Sequence, residues 1–177
     1  METLGAFWPT IKNERDVDDV TRHGLWLCFI IAGLTFIFGP SASSWVIALL
    51  DGLFFLLAGV GVRERSISAS VVAFLAFLLG TLARVRSFTY AINIGQILIL
   101  ALLFANIRAI WLMMSWAKEP EFQSTRMRRE RVFAEKFVNQ MPSSVWPKSR
   151  FVFYVLAIGD VLLRLYLLFA AIPQAGS

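Results

Sequence analysis

Asp51, Asp160 and Arg164 are the residues of this chain whose types and spacing could do chemistry, because each interrupts a stretch that is otherwise nearly free of charge. Asp160 and Arg164 stand four residues apart, so on a helix they share one face and can pair directly. Ionisable groups in long apolar helices are costly to place in lipid, and they mark either a function or a structural pair. Three uses fit these residue types. The cluster could lock two helices in register, as buried ion pairs do more surely than they add stability. It could carry protons or ions, or it could meet a partner subunit within the membrane.

Other chemistries find little support. The chain has one histidine, His23, and one cysteine, Cys28. Metal and haem sites take several such ligands, so neither a metal nor a cofactor is expected. A single cysteine also precludes an intrachain disulfide. No serine lies in a nucleophile-elbow sequence and no glycine-rich phosphate loop occurs, so no catalytic residue is identified.

The elements that must position the charged residues follow from composition. Apolar residues make up 58% of the chain and charged ones 16%, against roughly 45–50% and about 25% in soluble domains. Residues 25–38, 45–62, 67–83 and 88–107 lack the polar face that a soluble core helix needs. The expected architecture is an all-α integral membrane bundle of about five spans, at 24–38, 45–62, 67–83, 88–117 and 150–172. These form one transmembrane domain over 1–177, with a polar cap at 1–23 and a basic loop at 118–149. The cap mixes acids with bases and does not lead directly into an apolar run, so a retained first span is expected instead of a cleaved signal. Gly39-Pro40 reads as a turn that ends this span. At roughly 22 Å of helix, residues 24–38 fall short of a ~30 Å hydrocarbon core. Residues 88–117, at about 45 Å, must project beyond it.

Depth brings the charged residues together. Asp51 lies about 10 Å along its span from Ser44, and Arg164 about 10 Å from Ala171. If both ends face the same side, Asp51 and Arg164 are level, with Asp160 one turn deeper.

Lysine and arginine placement sets orientation. Three precede Gly24, Arg63 and Arg65 add two, and eight lie from Lys118 to Arg150, so thirteen fall on one side against Arg84 and Arg86 on the other. The expectation is a cytoplasmic N-terminus and a periplasmic C-terminus.

The loop contains an amphipathic pattern near 121–141, where Phe133, Phe137 and Met141 recur at helical spacing among Arg126, Arg128, Arg129, Arg131 and Lys136. Such a helix lies on anionic lipid headgroups, each basic residue adding about 1 kcal/mol of attraction. The bilayer is its ready partner, and nucleic acid is not expected. Arg108, toward the inner end of the fourth span, is expected to snorkel to phosphates, and Trp146 to anchor the fifth span at the headgroups. Asn93, Gln96 and Asn106 are expected to make interhelical hydrogen bonds. Ala48 with Gly52, Ala76 with Gly80, and Ala101, Ala105 and Ala109 are small-residue pairs and stripes that permit close helix contact.

The run Leu50-Asp51-Gly52-Leu53-Phe54-Phe55, then Gly61-Val62-Arg63-Glu64-Arg65-Ser66 with Ala69, and later Asn106-Ile107-Arg108-Ala109-Ile110, resembles small multi-spanning bacterial membrane proteins of unassigned function. The likeness covers residues 25–116; Ala109 stands where that pattern has a glycine. It implies a bacterial inner-membrane setting and carries no activity with it. The functional expectation is a non-catalytic membrane subunit that associates with itself or with a protein partner. The alternative is a small transporter or channel for protons, ions or small solutes using the Asp51, Asp160 and Arg164 cluster, and a lipid-modifying enzyme is a third class.

Overall fold

The computed structural model describes residues 11, 14–42, 45–86, 93–117 and 144–170. Within them the chain forms five helices: α1 (Glu14–Ala42), α2 (Trp45–Arg63), α3 (Ile67–Arg86), α4 (Ile94–Trp116) and α5 (Val145–Ala170). The protein is an all-α bundle. Four helices are long and apolar enough to cross a membrane, while the apolar part of α3, Ile67–Ala83, is shorter. The pattern near 121–141, with Arg126, Arg128, Arg129, Arg131 and Lys136, lies outside the described residues.

Helix α1 packs on α2 and α4, α5 packs on α2 and α3, and α3 also meets α2 and α4. The core explains this arrangement. Phe54 of α2 stacks on Phe153 of α5 at 5.6 Å and meets Phe55 edge-on at 4.9 Å, all three within one core cluster. Ala69, Ala73 and Ala76 bury one face of α3 completely, and these small side chains let its neighbours approach closely.

The first span differs most from the sequence reading. Its helix begins at Glu14, ten residues before the expected start at 24, so residues 14–23 are not a separate cap. Val17 and Val20, with Ile11, are buried against Ala109, Leu112, Met113 and Trp116 of α4, and this apolar stripe extends the helix inward. Glu14 and Asp16 in the first turn also complement the helix dipole. At the other end α1 runs through Gly39-Pro40 to Ala42. Pro40 has no amide hydrogen to donate to Phe36 O, and the helix ends within two residues of it. The resulting 29 residues cover about 43 Å, which removes the apparent shortfall in span length.

The polar residues of α4 also behave differently. Asn93 caps the helix: its side chain accepts from the Gln96 amide at 2.9 Å, and the Gln96 side chain accepts from the Asn93 amide at 3.2 Å. This reciprocal capping box starts the helix at Ile94. Asn106 donates to Leu102 O of its own helix at 2.8 Å, so among the described residues it too makes its hydrogen bond within α4. Its amide lies flat over Gly24 of α1, where any side chain would collide with it. Helix α5 begins at Val145, five residues before the expected start, with Pro147 in a first turn whose amides need no helical partner. Trp146 is half-buried over Gly61 and Phe153.

Candidate functional site

Arg164 joins three helices. Its Nε donates to Asp160 Oδ2 at 2.6 Å on its own helix, and its Nη2 donates to Asp51 Oδ1 of α2 at 2.5 Å. The third wall is Gly80 of α3, where a Cβ would collide with the guanidinium Nη1. The Asp51–Arg164 hydrogen bond and the Gly80–Arg164 contact place the three residues at one level of the bundle. The structure thus brings Asp51, Asp160 and Arg164 together. Arg164 and Asp160 are about nine-tenths buried, and Asp51 is the most open member at 21% side-chain exposure. Charge-assisted hydrogen bonds of this kind are the stronger ones. Two carboxylates face one guanidinium, so the formal charge of the cluster is negative by one. It can therefore hold one proton or one further cation, as well as tie the helices together.

Gly80 was legible only as half of a small-residue pair. Its role as the floor beneath an arginine depends on the α3–α5 packing.

Sequence reasoning missed a second shared arginine at the opposite end of the bundle. Arg65 sits in the α2–α3 connection and reaches α1: its Nη1 donates to Glu14 Oε1 at 2.7 Å, and its Nη2 to Asp18 Oδ1 at 2.5 Å. Nη1 also lies 3.1 Å from Met113 Sδ of α4. Burial alone would lower the Arg65 pKa, but the hydrogen bonds it donates to Asp18 and Glu14, together with their charge, raise it above its ordinary value. A raised folded-state pKa means stability that is complete below the unfolded value and is lost only as pH rises through the folded one. For an arginine that window lies beyond the working range, so Arg65 stays charged throughout it. The available signal was the four-residue spacing of Glu14 and Asp18, which places both acids on one helix face.

The connection itself is strained to make this contact. The Ser66 amide donates to Gly61 O and the Arg65 amide to Val62 O, both at 2.9 Å, which closes α2 in a Schellman cap. Arg65 occupies the position where glycine is usual, with φ of 58°. Ser66 Oγ then accepts from the Ala69 amide at 3.4 Å and opens α3. Two expected results follow. Arg65→Ala loses the Glu14 and Asp18 contacts and keeps the left-handed strain, whereas Arg65→Gly loses the contacts but relieves about 1 kcal/mol of strain. Thermal melts should rank the glycine variant above the alanine variant; equal melts would mean that the backbone stores no strain there.

Arg108 is half-buried on α4, eight positions from Trp116, and is remote in sequence and level from the Arg164 cluster. Among the described residues, no group of three or more His, Cys, Asp or Glu side chains could hold a metal ion. Comparison with family models, curated proteins and solved structures gives no match to the chain.

Proposed function

We propose that this is a non-catalytic integral membrane protein, an accessory or structural subunit of a membrane complex or a homo-oligomer. One observation carries the reading: Arg164 is held from two helices and walled by a third, which is the arrangement of a lock. Both hydrogen-bonding carboxylates and the close-fitting Gly80 resist displacement, and a buried pair of this kind fixes helix register. Helix α5, which carries the arginine, is the least buried of the four long apolar helices and offers its outer face to lipid or to another subunit. The setting proposed is a bacterial inner membrane, with the basic 118–149 loop and Arg108 against anionic headgroups.

The formal negative charge supports a second reading, a small transporter or channel for protons, ions or small solutes. Purification in mild detergent followed by mass spectrometry tests the first reading, through a stoichiometric partner or a defined homo-oligomer. A monomer that alone moves protons or ions across reconstituted vesicles would replace it with the second.

Orientation rests on the thirteen-to-two distribution of basic residues. Cys28 is fully buried and is the chain's one cysteine, so Cys28→Ala supplies a clean background. In that background Ser43→Cys and Gly176→Cys should react with an impermeant maleimide from the periplasmic side, and Ser124→Cys and Ser143→Cys should not. Outside labelling at 124 would reverse the orientation.

A further inference from the structure

We propose that the groove between α1 and α4 binds an amphiphilic amine, a molecule with an ammonium head and an apolar chain. The groove has a volume of about 490 Å³, within the usual range for small-molecule sites. Its lining is graded along α1. Asp16, Asp19 and His23 form one end, and Trp26, Leu27 and Ile30 continue into an apolar part faced by Leu102 of α4. From Asp19 to Ile30 the helix rises about 16 Å, so the polar end lies toward the headgroups and the apolar end within the bilayer. An amphiphile has this same polarity.

The lining also selects the sign of the head. His23 Nδ1 lies 2.6 Å from Asp19 O. A carbonyl oxygen only accepts, so Nδ1 carries the hydrogen of this bond. Asn106, which also lines the groove, donates its amide hydrogen to Leu102 O and has its Oδ1 packed against Gly24 of α1. The Asp19 carboxylate is the charged acceptor at the polar end of the groove, and it repels an anionic head. An ammonium satisfies both conditions, and a neutral alcohol of equal chain length satisfies neither as well. A lipid with a primary-amine headgroup and a free alkylamine share this chemistry.

Native mass spectrometry of the full chain in non-ionic detergent, with dodecylamine as probe, tests the site. Dodecylamine is expected to bind about tenfold more tightly than dodecanol. Asp19→Asn should remove that preference without changing the melting temperature. Ile30→Trp, at a lipid-exposed position bordering the apolar end, should weaken both probes. Phosphatidylethanolamine that displaces dodecylamine where phosphatidylcholine does not identifies a lipid as the occupant. Displacement by neither, with the amine preference intact, identifies a free amine. Equal binding of dodecylamine and dodecanol, or a preference that survives Asp19→Asn, overturns the proposal.

Discussion

Arg164→Ala is expected to be among the most destabilising single replacements in the bundle. It leaves Asp51 and Asp160 facing one another within the α2–α5 contact, with no cation between them. Removing one partner of a buried pair costs roughly 3–5 kcal/mol, because the remaining charge is left uncompensated. Asp160→Ala should cost less, since Asp51 still satisfies part of the guanidinium. The triple variant Asp51→Asn, Asp160→Leu, Arg164→Met removes every uncompensated charge and should recover much of the lost stability in detergent melts. Its activity in the cell separates the two functional readings. A lock replaced by apolar packing leaves biological activity in place, whereas loss of a proton or ion site leaves a folded protein without activity. A melt unchanged by Arg164→Ala would mean that the cluster holds nothing together.

Gly80→Ala should approach the effect of Arg164→Ala although it deletes nothing. The new methyl collides with Nη1, and a free arginine would simply swing away. This one is held at Nε and Nη2, so moving it lengthens one or both ion pairs. The expected cost is about 2 kcal/mol or more, in the range of a buried charge that loses part of its pairing. In an Arg164→Met background the flexible thioether yields to the methyl, and Gly80→Ala should then cost little. A double-mutant cycle on melting free energy reads the coupling directly. Additive losses would show that Gly80 and Arg164 act independently.

Much of this was legible in the sequence because hydrophobic length and charge position are linear properties. The start and end of each apolar run fix depth, and depth alone placed Asp51 level with Arg164. What was hidden depends on partners distant in the chain. Residues 14–23 look polar when counted, but Val17 and Val20 find α4 and continue the helix inward. Asn93 and Gln96 look like interhelical glue in a chain read as membrane-spanning, yet their three-residue spacing also satisfies a helix start, and the helix start prevailed. Arg65 looked like one of many basic residues at a cytoplasmic hinge. Only the fold brings Glu14 and Asp18 to it, and only its left-handed backbone shows that an arginine was retained where glycine would fit more easily.

The 113-residue separation between Asp51 and Arg164 sets an order of events during synthesis. At ribosomal rates of about 5–20 residues per second, α2 emerges roughly 6–23 s before the arginine that will hold it. Through that interval the α2 carboxylate meets the translocon or the bilayer without Arg164, and the helix is admitted on the strength of Trp45–Arg63 alone. Helix α5 then acts as a bolt slid home late: α1 to α4 are threaded first, and α2 is tied to α5 only on the arrival of Arg164.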